Sequence, residues 1–112
     1  MNITYTENSK RWREGYELLK QATKRLEEIL GPSADSVAAE WEGDVENGRP
    51  PMYRLKLRDA TGEVGADFTV DGLRVSAYVN IRLSRLWGDL LRIRSDLQHS
   101  KVLQMVQELE GG

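Results

Sequence analysis

Two stretches of alternating apolar and polar residues constrain the fold of this chain most strongly. In "MYRLKLRD", residues 52–59, the apolar residues Tyr53, Leu55 and Leu57 alternate with charged ones. In "EVGADFTV", residues 63–70, Val64, Ala66, Phe68 and Val70 occupy every second position. A period of two is typical of a strand with one buried face, and the intervening "DATG" has the composition of a short turn. These stretches therefore predict a β-hairpin.

The same alternation predicts the register of the hairpin. An even loop, of two or four residues, pairs apolar residues with each other and charges with charges of opposite sign. The expected pairs are Leu57 with Val64, Leu55 with Ala66, Tyr53 with Phe68, Arg58 with Glu63 and Arg54 with Asp67. An odd loop would turn every apolar residue of one strand toward water. We therefore expect structural ion pairs, Arg54 with Asp67 and Arg58 with Glu63, on the outer face of the sheet.

Three cations alternate along residues 52–59, as they would in a nucleic-acid-binding strand. A preceding segment, "SVAAEWEGD" at residues 36–44, predicts another strand, and hairpin connectivity places its acids beside those cations. Adjacent strands lie about 4.8 Å apart, within the Debye length of about 8 Å, so a phosphate would feel acids and bases together. The outer face would carry the acids Glu40, Glu42, Glu63 and Asp67 and the bases Arg54, Lys56 and Arg58. The row of cations thus indicates the solvated side of a strand.

Two longer segments have helical periodicity. In residues 9–30 the apolar face recurs at spacings of four and three, with Asn8 or Ser9 as a candidate cap and "GPS" as the stop. Residues 77–97 repeat this spacing, although a hairpin turning at Gly88-Asp89 is an alternative. That hairpin would place Arg85 opposite Arg92, so the helix is favoured. The two apolar faces are Trp12, Tyr16, Leu19, Thr23, Leu26 and Leu30 in the first segment, and Val79, Leu83, Leu86, Leu90, Ile93 and Leu97 in the second.

The apolar spacing changes phase after Leu97. Val102, Met105, Val106 and Leu109 then predict a separate short helix with Ser100 as its cap. The expected fold is α+β: a long N-terminal helix, a three-stranded antiparallel meander, a long amphipathic helix and a short C-terminal helix, with the helices on one sheet face. Residues 1–8 would form an N-terminal arm, 9–110 a single domain, and 111–112 a frayed tail.

Several classes of function are disfavoured by composition. The 112 residues include no cysteine and one histidine, His99, and the net charge is only −2. Thiol chemistry and cysteine-based zinc sites are therefore excluded, and no catalytic, nucleotide-binding or metal-binding motif is found. We expect no catalytic residue, no cofactor and no metal. An apolar run of about 20 residues is also missing. The amino-terminal "MNITYTENSK" lacks the apolar core of a signal peptide, so the expected location is cytoplasmic.

Six arginines remain as candidates for binding a partner. The second long helix carries Arg82, Arg85, Arg92 and Arg94, and "KRWR" near the amino terminus contains Arg11 and Arg13. Spacings of four residues also allow a ladder of ion pairs within the helix, Arg85 with Asp89 and Arg92 with Asp96. The arginines therefore indicate either an ion ladder or a surface for an anionic partner.

The helices carry more apolar surface than a three-stranded sheet with one apolar face can cover. The excess would be hidden by another protein or by a second copy. The leading expectation is a small protein-protein interaction or adaptor module, which could be homodimeric through its helical face. The alternative is a nucleic-acid-binding module that uses the arginines of the second long helix and the "KRWR" cluster.

The predicted pairing of Arg54 with Asp67 can be tested by charge reversal. Arg54→Glu should lower the free energy of unfolding by about 0.2 to 1 kcal/mol, because it places like charges opposite each other. Adding Asp67→Arg should restore part of the loss. Urea denaturation of the wild type, both single variants and the double variant gives the coupling energy; additive effects would contradict the pairing.

Overall fold

The computed structural model describes residues 1–44 and 52–111, with residue 102 and residues 105–111 as backbone only. It is a mixed α+β structure, with a four-stranded sheet in the order β1-β2-β3-β4. The strands are β1 Asn2–Tyr5, β2 Ala38–Gly43, β3 Met52–Asp59 and β4 Gly62–Thr69. The helices are α1 Glu7–Lys10, α2 Arg13–Leu30, α3 Val70–Leu73 and α4 Ser76–Gly111, and a 3-10 segment spans Gly31–Ser36.

The central hairpin has the register that its alternation predicts. Strands β3 and β4 are antiparallel, with Asp59 opposite Gly62 across a two-residue turn and Tyr53 opposite Phe68. Strand β2 pairs antiparallel with the other side of β3, which places Glu42 opposite Arg54. The even loop places the inward-facing apolar residues of both strands on one side of the sheet, whereas Met52, at the start of β3, is 40% exposed.

That side of the sheet forms the hydrophobic core. The three inward-facing residues of β3, Tyr53, Leu55 and Leu57, are all 0% exposed. The Trp41 and Phe68 rings lie beside them, with centroids 5.4 Å apart. Helices α2 and α4 cover this face with residues that are also buried: Leu19, Ala22, Leu26 and Leu30 from α2, and Val79, Leu83, Leu86 and Leu90 from α4. Burying each large side chain contributes about 1.5 to 3 kcal/mol, so both helices are held by this face.

Strand β1 corrects the expected three-stranded meander. Residues 1–8 were expected to form an arm, but Asn2–Tyr5 lie in the sheet and pair parallel with β2, Ile3 opposite Ala39. Parallel neighbours need a long crossover connection, and α1, α2 and the 3-10 segment supply it. The prediction failed because a four-residue strand carries only two inward side chains, too few for a visible period.

A buried threonine joins β1, β2 and α2. Tyr5 Oη donates a hydrogen bond to Thr23 Oγ1 at 3.1 Å, and Trp41 Nε1 donates to the same oxygen at 2.9 Å. Thr23 Oγ1 in turn donates to the Leu19 carbonyl at 2.9 Å. One hydroxyl therefore accepts from the buried indole of Trp41 and from the partly buried hydroxyl of Tyr5, and it fixes β1 against the helix.

The helix boundaries differ from the expected ones. The first helical region is interrupted: Thr6 caps α1 by accepting a hydrogen bond from the Ser9 amide, and Trp12 is extended before α2 begins at Arg13. Residues 77–97 are helical, so the hairpin alternative is wrong. The separate short C-terminal helix is also wrong, because α4 continues as one 36-residue helix to Gly111. The change in apolar spacing after Leu97 therefore does not end the helix.

Replacing the Thr23 hydroxyl tests this network. Thr23→Val keeps the shape of the side chain but leaves the Trp41 and Tyr5 donors unpaired, so the free energy of unfolding should fall by about 1 to 3 kcal/mol. Thr23→Ser, which retains the hydroxyl, is the matched control and should lose less. Urea denaturation measures both; equal losses in the two variants would contradict a role for the hydrogen bonds.

Candidate partner-binding surface

Arg94 is held within the fold. Its Nη2 donates to Asp59 Oδ2 at 2.7 Å, and its guanidinium lies over the Trp87 ring at 5.5 Å. The Asp59 side chain is 3% exposed, so this ion pair is shielded from solvent. This ion pair holds the middle of α4 against the turn between β3 and β4. The Arg94 guanidinium is therefore already occupied by a contact within the fold.

Arg82 also has partners inside the fold. Its Nη2 donates to the Asp67 carbonyl at 2.7 Å, and its guanidinium lies over the rings of Phe68 and Tyr78 at 5.4 and 5.5 Å. Asp67 belongs to β4, which is an edge strand whose outer backbone groups lack a neighbouring strand. Arg82 satisfies one of these carbonyls and helps to protect the edge.

The remaining candidate arginines are exposed. Arg85 and Arg92 lie on α4, and among the described residues neither forms the ion pair expected with Asp89 or Asp96. Arg11 follows α1, and Arg13 is the first residue of α2. The ion ladder of α4 is therefore not formed in the described part of the chain. Two of the six candidate arginines, Arg82 and Arg94, thus form contacts within the fold, and the other four are exposed.

The outer face of the sheet carries charges of both signs. Arg54 Nη1 lies 3.1 Å from Asp67 Oδ1, and Lys56 Nζ lies 3.5 Å from Glu42 Oε2. Arg58 is opposite Glu63 in the register, although their side chains form no ion pair in the part of the chain that the structure describes. This surface alternates acid and base, and its cations are not gathered into a positive groove.

Within residues 1–44 and 52–111, no group of three or more acidic, histidine or cysteine side chains is arranged to hold a metal ion. His99 is exposed on α4. Among the described residues, no helix combines the length and apolar character needed to cross a membrane.

The apolar surface of α4 extends past the core. Leu90 is 0% exposed, whereas Leu91, Leu97 and Leu103 are 40, 38 and 50% exposed. Ile93 still approaches Gly62 at the hairpin turn, and Arg94 binds Asp59. Every described side chain beyond Arg94, at residues 95–101 and 103–104, is exposed. The distal half of α4, residues 91–111, thus makes its last contacts with the domain at Ile93 and Arg94 and then extends away from it, which accounts for the extents of 63 × 24 × 20 Å.

Sequence reasoning identified the leucines of this helix but not their exposure. The helix was expected to end near Leu97, with a second helix folding back on the sheet. The phase shift was the signal of the actual arrangement: the apolar spacing of the sequence changes after Leu97, just beyond the last contacts of α4 with the domain at Ile93 and Arg94. A shift of phase without a proline or a glycine at the junction is also compatible with one continuous helix, as found.

Asp59 gives this junction a pH dependence. Burial raises the pKa of its carboxyl, but hydrogen bonds from Thr61 and Arg94 outweigh burial and lower the pKa from 3.8 to about 2. A depressed pKa stabilises the folded state above pH 3.8, and that stability is lost as the pH falls through this value toward 2. The shift corresponds to about 2 kcal/mol.

We predict that the free energy of unfolding of the wild type falls by about 2 kcal/mol between about pH 5 and pH 2 through this group alone. Asp59→Asn should be less stable at neutral pH and lack this part of the decline. Asp71→Asn, whose parent side chain is 96% exposed, is the control and should follow the wild type. Urea denaturation at several pH values measures the three profiles, and parallel profiles for wild type and Asp59→Asn would refute the prediction.

No protein-family model, no curated protein and no solved structure matches the chain.

Proposed function

We propose that this chain is a cytoplasmic protein-protein interaction or adaptor module that binds through the distal half of α4, with a second copy of itself as a partner. The observation that carries the proposal is the exposure of Leu97 and Leu103 on the part of α4 that continues beyond its last contacts with the domain, together with the exposure of Leu91 just before those contacts. Exposed apolar side chains on a projecting element are typical of an interaction surface.

The low stability that residues 91–111 would have as an isolated helix supports the same proposal. About 20 residues of α4 lie beyond Leu90, and an isolated helix of that length is marginal in water because tertiary packing normally supplies most of its stability. The domain supplies none to the described side chains beyond Arg94. A partner that buried the three leucines would contribute about 1.5 to 3 kcal/mol for each fully covered side chain.

The three leucines also point in different directions. They are six residues apart, so at about 100° per residue they lie on three faces of the helix. One partner helix would not cover all of them at once. A binding surface made by two copies, or by one copy and a larger protein, suits this distribution better than a single narrow groove.

The nucleic-acid-binding alternative has less support. Two of its six arginines, Arg82 and Arg94, already bind Asp67 and Asp59. The cations of the outer sheet face stand beside acids. Oligonucleotide binding that weakens steeply with added salt would favour this alternative, since phosphate contacts release counterions.

The proposal predicts self-association that depends on the exposed leucines. A variant carrying Leu91→Gln, Leu97→Gln and Leu103→Gln should dissociate at concentrations at least tenfold higher than the wild type does, because each change removes apolar area from the interface. Sedimentation velocity over a wide concentration range measures the association. Ile81→Gln is the control: Ile81 is 61% exposed and lies on the part of α4 that covers the sheet.

Two outcomes would count against the proposal. A wild type that stays monomeric and binds no apolar dye would contradict an interaction surface on α4. A monomer that does bind the dye through these leucines would reject self-association and leave a different protein as the partner. Equal dissociation of the triple variant and of Ile81→Gln would show that association does not use residues 91–111.

A further inference from the structure

We infer that two copies of this chain join edge to edge through β1, in antiparallel orientation, so that their two sheets form one continuous sheet. The two-fold axis that relates the copies would pass beside Thr4. Strand β1 lies at the opposite edge of the sheet from β4, and α4 packs against β4 and β3. This surface is therefore separate from the distal half of α4, and the inference goes beyond the proposed function.

The two edges of the sheet differ in their protection against pairing. Strand β4 carries the charged residues Glu63 and Asp67, and Arg82 donates a hydrogen bond to the Asp67 carbonyl. Strand β1 has the sequence "NITY", with no charged residue and no proline. Charges and prolines are common devices that prevent an edge strand from pairing with another chain. The β1 edge lacks both, so a further strand can be added there.

The outward hydrogen-bonding groups of β1 belong to Ile3 and Tyr5. The amides of Asn2 and Thr6 donate at 3.3 and 3.0 Å to backbone carbonyls in the segment that contains β2. Successive residues of a strand direct their backbone groups to opposite sides, so the amides and carbonyls of Ile3 and Tyr5 point away from β2. In the part of the chain that the structure describes, no strand lies on that side of β1.

These groups are complementary to those of a second β1 that runs antiparallel to the first. In an antiparallel pair, every second pair of opposite residues exchanges two backbone hydrogen bonds. Placing Ile3 opposite Tyr5 of the second copy, and Tyr5 opposite Ile3, satisfies the outward groups of both residues. Thr4 then faces Thr4 of the second copy in the closer, non-hydrogen-bonded kind of pair. A register centred on Ile3 would leave the outward groups of Tyr5 unpaired within β1, so the register centred on Thr4 is favoured.

The side chains of β1 suit this register. Ile3 and Tyr5 are half-buried on the inner face, where Tyr5 also meets Tyr16 edge-on with ring centroids 5.1 Å apart. Pairing would set Ile3 against Tyr5 of the second copy and would extend the apolar core across the edge. An aromatic residue opposite a β-branched one is a favourable cross-strand pair, and so are the two threonines that would meet on the outer face.

The helices leave room for the second copy. Thr23 of α2 accepts hydrogen bonds from Tyr5 in β1 and from Trp41 in β2, so α2 lies over the boundary between these strands. Adjacent strands are about 4.8 Å apart, which places each α2 about one strand spacing from the two-fold axis. The two copies of α2 would then lie about 10 Å apart, an ordinary distance between packed helices. The continuous sheet therefore forms without a clash between them.

A disulfide tests the register, because the chain contains no cysteine of its own. Thr4→Cys should form a covalent dimer on mild oxidation in air, since the Cα atoms of a non-hydrogen-bonded pair lie about 4.5 Å apart, within the range that a disulfide spans. Asn2→Cys is the matched control: it is exposed on the same face, but its two copies would lie about 14 Å apart along the strands. Electrophoresis without reducing agent measures the dimer, and comparable yields for the two variants would overturn the register.

Charge at the two-fold axis provides an independent test. Thr4→Lys and Thr4→Glu should each weaken association at least tenfold, because each sets two like charges opposite one another. Mixing the two variants should restore association, since opposite charges then meet. Thr4 is exposed in the single chain, so neither change removes a buried contact. Gln21→Lys is the control: it adds the same charge on the side of α2 that faces Leu18 and Arg74, and should associate as its parent does.

All these variants are made in the triple leucine-to-glutamine variant of α4, so that association through α4 does not contribute, and sedimentation velocity measures the residual association. A triple variant that is monomeric at every concentration would overturn the pairing of β1 and leave the proposed function in place. A mixture of Thr4→Lys and Thr4→Glu that associates no better than either alone would also overturn it. Association that Thr4→Lys removes from the wild type, and that the triple variant retains in full, would support the pairing of β1 and count against the proposed role of α4.

Discussion

The pairing of β3 with its two neighbours is the constraint on which the rest of this structure depends. Tyr53, Leu55 and Leu57 are fully buried, and a shift of one residue would move all three into water. At roughly 1.5 to 3 kcal/mol for each side chain, such a shift would cost an amount comparable with the whole stability of a small domain. The charged pairs on the outer face are worth far less, so they refine a register that burial has already determined.

The same register determines where α4 lies. With this register the hairpin has a two-residue turn, in which one carboxylate oxygen of Asp59 accepts hydrogen bonds from the Thr61 and Gly62 amides. The other carboxylate oxygen of Asp59 binds Arg94. One buried carboxylate thus closes the hairpin and anchors the helix. A close approach at Gly15, where an added Cβ would overlap Tyr53 Oη, shows that α2 is positioned by β3 just as closely. The point at which α4 leaves the domain follows from the length of the sheet.

The features that could be predicted from the sequence are those in which the same apolar spacing repeats over many residues. Strands β2, β3 and β4, the register of β3 with β4 and the helical state of residues 77–97 all have such periods, and each is present. Strand β1 was missed because its pairing is parallel and separated from β2 by more than thirty residues. The roles of Arg82 and Arg94 were missed because their acceptors, the Asp67 carbonyl and Asp59, lie 15 and 35 residues away in sequence. Spacing along a helix favoured Asp89 and Asp96 instead, and local spacing gives no information about a hairpin turn that folds beneath the helix.

The change of phase after Leu97 has a physical meaning in a continuous helix. The first half of α4 must present an apolar face to the sheet, but beyond Arg94 the helix has no sheet to cover, and there the exposed Leu97 and Leu103 lie on different faces. Gly88 lies on the side of α4 that faces away from the sheet, where a Cβ added to it would meet nothing within 4 Å. It costs the helix up to about 1 kcal/mol relative to alanine. The packing of the neighbouring turns against the sheet outweighs this cost, because Leu83, Leu86 and Leu90 are buried there and each contributes about 1.5 to 3 kcal/mol.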